Sequence, residues 1–211
     1  MDAATAIGGL VDAIDDYLGL LGGEGIDDVR AGIARARGQG INAGVTNVPA
    51  CGHLDDALNA MRDADDVAIA IAAARPFLHW IAYDVYDSTI GNRFPSGHAF
   101  ASLIGSDAPI NAEDFDLGLF LIAPRMLYRD HHHAAPELYA PLTGPHRWRF
   151  GVDQQWVEKP AHKPVWNRPW DVHATITGEV PFLCIFCWTR DVNAPAKTVF
   201  SGDWDVIEAA L

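Results

Sequence analysis

The segment Arg129 to Tyr139, reading Arg-Asp-His-His-His-Ala-Ala-Pro-Glu-Leu-Tyr, constrains this chain more than any other stretch. Successive side chains on a β-strand point to opposite faces, so His131 and His133 share one face and His132 takes the other. Glu137 and Tyr139 are also two apart and share a face. The Ala134-Ala135-Pro136 step is short enough to fold a second strand back beside the first. Two imidazoles, a carboxylate and a phenol then converge on one point. Nitrogen and oxygen donors grouped in this way are what a divalent transition metal binds. A lone His in a strand is ordinarily a surface or hydrogen-bonded residue, and a His triplet alone fits a solvated loop. It is the combined spacing that singles this segment out.

The pattern His131-x-His133-x-x-x-Glu137, followed by Gly144, resembles the first motif of the cupin superfamily. Upstream, Arg125 stands where that family usually has Gly. The resemblance implies a second motif that supplies one more His, and His173 in Asn167-Arg-Pro-Trp-Asp-Val-His173 occupies that place. The second motif is half kept. Pro169 is displaced by one position, Trp170 takes the Gly position and Thr177 stands where Asn would be. The implied ligand set is His131, His133, Glu137 and His173 around one divalent transition metal, with open positions for a substrate. Iron, manganese, zinc, cobalt and nickel all suit these donors.

Length and charge narrow the possibilities around such a site. The chain has 211 residues, 49% of them hydrophobic, which is enough for a sizeable core. The formal charge of −13 argues against nucleic acid or an anionic membrane surface as partner. No apolar run is long enough for a membrane span, and Met-Asp-Ala-Ala-Thr-Ala does not read as a secretory signal. Cys184-Ile-Phe-Cys187 has the spacing of a redox pair. It lies in the apolar run Pro181 to Trp188, which reads as a buried strand, and the three cysteines read as inert thiols in a reducing cytoplasm. The expected partner is a small molecule, and the expected assembly is a monomer or homodimer.

The chain changes character near residue 90. From Asp2 to Leu21, apolar residues at Ile7, Leu10, Val11, Ile14, Leu18 and Leu21 follow helical spacing, and Gly22-Gly23 ends the run. Asp27 to Arg37 is a shorter helix, acidic at its start and basic at its end. Asp55 to Tyr86 carries further helices, broken or kinked at Pro76, with Trp80, Tyr83 and Tyr86 on an aromatic helical face. Beyond residue 90, short apolar runs alternate with turns: Phe115–Ile122, Met126–His131, Glu137–Leu142, Trp148–Val152, Gln155–Lys159, Pro164–Asn167, His173–Thr177 and Pro181–Thr189. Asp203 to Leu211 reads as a short helix or a tail. The expected fold is α+β and mainly β, with a helical segment over residues 1–90 packing on an antiparallel barrel or jelly roll over residues 91–211.

From Tyr128 to Trp188 the chain resembles the cupin-type dimethylsulfoniopropionate lyases, most closely the type with a helical N-terminal extension. Tyr128, His131, His133, Glu137, Tyr139, His173 and Trp188 carry the likeness, together with the phrases Leu-Thr-Gly-Pro145 and Phe-Cys-Trp-Thr-Arg-Asp191. The resemblance implies cleavage of dimethylsulfoniopropionate to dimethyl sulfide and acrylate by base-initiated β-elimination.

The residues suit that chemistry. A metal binding the substrate carboxylate acidifies the neighbouring carbon. A phenol titrates near 10 when free, but a nearby divalent cation favours the phenolate. Tyr139 is therefore the candidate base and Tyr128 the second candidate. Tyr128 precedes His131 by three residues, so a strand bulge must turn it into the site. Trp188 can stack on the sulfonium, and Tyr128, Trp80 and Tyr83 are candidate substrate contacts at the pocket mouth. Another metallocupin reaction on a small carboxylate, such as a dioxygenase or isomerase, uses the same ligands, as does a non-enzymatic binding protein.

Overall fold

The computed structural model describes every residue except 39, 43, 62 and 85–87. Tyr86, placed by spacing on the aromatic helical face, lies outside the described residues.

Helix α1 (Ala3–Leu21) is capped by Asp2, whose Oδ1 accepts the Thr5 backbone N–H at 2.8 Å. Its buried stripe is Ile7, Leu10, Val11, Ile14 and Leu18, the spacing read from the sequence. Helix α2 (Ile26–Ala36) follows, with Asp27 and Asp28 in its first turn and Arg35 in its last. Gly32 of α2 lies flat against Phe115, where even a methyl group would collide with the ring. Helices α3 (Leu54–Ala60) and α4 (Asp65–Ala74) complete the helical layer.

The expected helix does not continue past residue 77. Pro76 sits in a 3₁₀ turn, Arg75–Phe77, that ends α4. Residues 78–81 are extended. Trp80 donates its backbone N–H to Thr46 at 3.0 Å, and Ile81 exchanges backbone bonds with Phe100 at 2.8 and 2.9 Å. Proline removes a helical hydrogen bond, and the sheet edge offers these residues a better set of partners. A short helix, α5 (Phe94–Gly97), then leads into strand β1 (His98–Gly105), which the sequence reading did not single out.

Ten further strands follow: β2 (Ile110–Asn111), β3 (Asp116–Ile122), β4 (Leu127–His132), β5 (Glu137–Pro141), β6 (His146–Phe150), β7 (Val157–Lys159), β8 (Val165–Asn167), β9 (His173–Ile176), β10 (Phe182–Trp188) and β11 (Lys197–Thr198). Helix α6 (Trp204–Ala210) ends the chain. The strands form two sheets, ordered β2-β1-β3-β10-β5-β8 and β11-β4-β9-β6-β7. All pairings are antiparallel except β1 with β2. The two sheets form a jelly roll, as expected from the sequence.

The larger sheet is buried on both faces, which is why β3 and β10 read as continuous apolar runs. Leu117, Leu119, Leu121, Leu183, Ile185 and Cys187 share one core with the buried faces of α1, α2 and α4. Phe120, Ile122, Phe182, Cys184 and Phe186 alternate onto the other face, with Tyr128, Tyr139 and Trp148. Cys184 and Cys187 therefore face opposite sides of one strand. Burial holds both thiols well above their ordinary pKa, as expected of inert core cysteines.

Two residues that stand where the sequence resemblance expects glycine have unusual backbone conformations. Arg125 has φ +54° and Trp170 has φ +68°, both in the left-handed region that glycine enters without a steric penalty.

Candidate metal centre

Three imidazoles meet between the sheets. His131 and His173 are register partners on β4 and β9, and His133 follows β4 directly. The ligating atoms of the three rings lie within 4.8 Å of one another, and each residue is at most 1% exposed. Each ring is held from behind by a backbone carbonyl. Nδ1 of His131 bonds Arg129 O at 2.8 Å, Nδ1 of His133 bonds Ala135 O at 2.8 Å, and Nδ1 of His173 bonds Asp171 O at 2.9 Å. A carbonyl only accepts, so each Nδ1 carries a proton, each Nε2 faces the common centre, and in a neutral ring that Nε2 offers a lone pair.

Glu137 completes the cluster, but not from the direction expected. The Ala134-Ala135-Pro136 step does not fold β5 back beside β4. It carries the chain from one sheet to the other, so Glu137 and Tyr139 approach from the opposite wall. Glu137 Oε2 lies 3.2 Å from His133 Nε2 and 3.3 Å from His173 Nε2. It also accepts Asn167 Nδ2 at 3.0 Å, while Oε1 accepts Trp188 Nε1 at 2.7 Å.

The donors fit a cation. His131 Nε2 and His173 Nε2 are buried with no hydrogen-bond partner among the described residues; the 3.3 Å approach of His173 to Glu137 is close but not aligned as a bond. Unpaired buried acceptors are costly, and the Nε2 lone pairs of His131 and His173 beside a carboxylate are unfavourable unless a positive charge stands between them; His133 Nε2 is within hydrogen-bond distance of Glu137 Oε2. Burial, then the neighbouring imidazoles, hold His131 well below its ordinary pKa, leaving it a neutral ligand. Burial alone would raise Glu137, but His133 and His173 outweigh it and hold the carboxyl well below its usual range. For His133 burial works to lower the pKa, and Glu137 prevails and raises it.

A cavity of about 120 Å³ opens beside the cluster. Tyr128, Glu137, Tyr139 and Trp188 line it with Tyr83, Phe100 and Asp116. The register of β4 against β9 shifts between Tyr128 and His131, so residues three apart both face inward. Tyr128 stacks on His131 with ring centroids 3.9 Å apart. The Tyr139 ring lies 6.3 Å from that of His173. Tyr83 packs edge-on against Phe100 in the cavity wall. Trp80 stands apart: it is 1% exposed and belongs to the core shared with the helices. His132 points away from the cluster, and its ring lies 5.3 Å from Trp170.

Two polar residues on the cavity side of the sheet were not anticipated, Asn167 and Asp116. Both lie in one register row across β3, β10, β5 and β8: Asp116 faces Trp188, Trp188 faces Glu137, and Glu137 faces Asn167. Asn167 ends a short strand and Asp116 begins one, positions where polar residues ordinarily face solvent. No spacing in the sequence marks either.

Residues 31–184 match the model of the dimethylsulfoniopropionate lyase family, and the chain belongs to that family of lyase enzymes. No curated protein matches the chain. A chain from the crystal structures of the DMSP lyases RdDddP and RnDddQII superposes with a TM-score of 0.74 at 16% identity, over 94% of this chain and 100% of that one. The DMSP lyase DddQ from Ruegeria pomeroyi DSS-3 gives 0.62 at 19% identity, over 77% and 80%. At these identities the likeness is one of fold. No described helix is long and apolar enough to cross a membrane.

Proposed function

We propose that the chain cleaves dimethylsulfoniopropionate to dimethyl sulfide and acrylate by base-initiated β-elimination. The observation that carries this reading is the placing of two tyrosines, Tyr139 and Tyr128, on the same small cavity as Glu137, whose carboxylate lies against His133 and His173 of the histidine cluster. An oxygenase needs open metal positions but no phenol beside them. Elimination needs a base next to the carbon being deprotonated.

His131, His133, Glu137 and His173 would hold one divalent ion of iron, manganese, zinc, cobalt or nickel. When bound, that ion supplies charge withdrawal from the substrate carboxylate and favours the phenolate of a neighbouring tyrosine. Tyr139 is assigned as the base. It removes the proton from the carbon beside the carboxylate, and the electron pair forms the double bond as the carbon–sulfur bond breaks. Dimethyl sulfide leaves with the bonding pair, and Tyr139 keeps the proton. Tyr128 is the second candidate, from the opposite wall. The aromatic faces of Trp188 and Tyr83 contact the sulfonium end, and the apolar walls exclude water.

Gas chromatography of dimethyl sulfide from purified protein loaded with each metal in turn tests this. Equimolar dimethyl sulfide and acrylate are expected. If no metal yields dimethyl sulfide, the lyase reading falls, and another metallocupin reaction on a small carboxylate takes its place.

A further inference from the structure

We infer that Asp116 is the counter-ion for the sulfonium group of the substrate, and so sets the preference for a cation at that end of the cavity. The inference rests on the lyase reading for the identity of the substrate, though not for the presence of a cation site.

Asp116 opens β3 and lies in the register row that runs through Trp188 to Glu137. Directly opposed residues on neighbouring antiparallel strands present their side chains on the same face. Strands are spaced by about 4.8 Å, so Asp116 lies roughly 10 Å from Glu137 at the backbone, with Trp188 between them. A substrate whose carboxylate is held at the metal cluster extends its sulfonium a few ångströms along this row. It arrives over Trp188 and in front of Asp116.

Among the described residues no cation pairs with Asp116. Oδ1 is buried and makes no hydrogen bond among the described residues. Burial pushes the carboxyl up to about 6, and the Ser102 hydroxyl bond offsets this only in part. A carboxylate buried without a cation is unfavourable, and nothing in the packing of β3 needs it: Gly118, Phe120 and Ile122 follow on the same face of the strand. Asp116, Ser102 and Tyr83 also line a second recess that continues outward past His79, Gly105 and Asn193. Asp116 therefore stands where the two cavities adjoin. The cavity walls beside it are Tyr83, Phe100, Phe186 and Trp188. A carboxylate set among aromatic faces suits an alkylated, weakly hydrated cation better than an ammonium or a metal ion.

The test compares dimethylsulfoniopropionate with 4-methylpentanoate, which has the same shape with an uncharged carbon in place of sulfur. Affinities for metal-loaded protein are measured at pH 8, above the Asp116 value of about 6: the inhibition constant of 4-methylpentanoate against the KM of dimethylsulfoniopropionate or, if there is no turnover, the two dissociation constants by calorimetry. Wild type should prefer the sulfonium by about 10–100-fold. Asp116→Asn, which keeps the shape and the bond from Ser102, should bring the two ligands to similar affinity. In turnover the loss should fall on KM more than on kcat. Equal affinity of wild type for the two ligands overturns the inference, and that comparison needs no variant to fold. An Asn variant that is folded and still discriminates also overturns it. Dimethyl sulfide release with an unchanged KM in Asp116→Asn would remove Asp116 and leave the lyase reading intact. Asp116-dependent sulfonium binding without any dimethyl sulfide would do the reverse.

Discussion

Trp188 donates its indole N–H to Glu137 Oε1 at 2.7 Å, between residues that sit directly opposite each other on β10 and β5. The bond leaves Glu137 Oε2 turned towards His133 and His173. Trp188 thus aims a candidate ligand as well as lining the cavity. Outer partners of this kind are commonly worth about 10–100-fold in metal affinity. Trp188→Phe, which keeps the aromatic face but deletes the donor, should weaken metal binding by that amount in a chelator competition. Unchanged affinity would show that Asn167 alone orients the carboxylate.

Single substitutions should separate the cluster from its neighbours. His131→Ala, His133→Ala and His173→Ala should each lose the bound metal, while His132→Ala should retain it, because His132 points out of the site. Metal analysis of the purified variants checks this. Chelation of wild type should leave most of the helical circular dichroism, since α1, α2 and α4 are held by a core that contains none of the four ligands.

The two tyrosines can be ranked by rate. Loss of a general base costs about 10²–10⁴ in turnover. Tyr139→Phe should lose that much while keeping its metal and its melting temperature, and Tyr128→Phe should lose less. The opposite ranking would move the base to Tyr128, which stacks on His131.

Acid should destabilise the fold through two histidines outside the site. His98 Nδ1 donates to Phe94 O at 2.6 Å, and Nε2 accepts the Tyr83 N–H at 2.9 Å. In His146 the roles are reversed: Nδ1 accepts Gly178 N–H at 3.0 Å and Nε2 faces Thr143 Oγ1 at 3.3 Å. A second proton on either ring would set one N–H against another. Burial, the main cause, pushes both down to about 4. The unfolded chain, with histidines near 6.5, then binds more protons between these values. Stability present above pH 6.5 should fall as pH drops towards 4, by roughly 3 kcal/mol per ring at the low end. Denaturant melts at pH 7, 5.5 and 4.5 measure it; a midpoint that does not move across that window would contradict it.

At Arg125 the φ of +54° should make glycine the better residue. Comparing Arg125→Gly with Arg125→Ala isolates the backbone term, because both remove the exposed contact with Glu179. The Ala variant should be less stable by about 1 kcal/mol. Equal melting temperatures would mean that the loop relaxes around either residue.

Much of this molecule is written locally. The face of α1 follows from the spacing of Ile7, Leu10, Val11, Ile14 and Leu18, and the double burial of β10 follows from its unbroken apolar run. The shared face of His131 and His133 follows from strand alternation. These are properties of neighbouring residues, and the periods of helix and strand express them directly.

What the tertiary structure decided is which strands stand beside or across from one another. The turn at Ala134-Ala135-Pro136 looks the same whether it closes a hairpin or crosses between sheets, yet only the crossing puts Glu137 and Tyr139 on the wall facing His131. The register shift that turns Tyr128 inward exists only against β9. Trp80 went to the helical core because residues 78–81 found backbone partners at a sheet edge. The row that joins Asp116, Trp188, Glu137 and Asn167 gathers four strands far apart in the chain. Such pairings are settled by burial and hydrogen bonding summed over the whole core, and no local period records them.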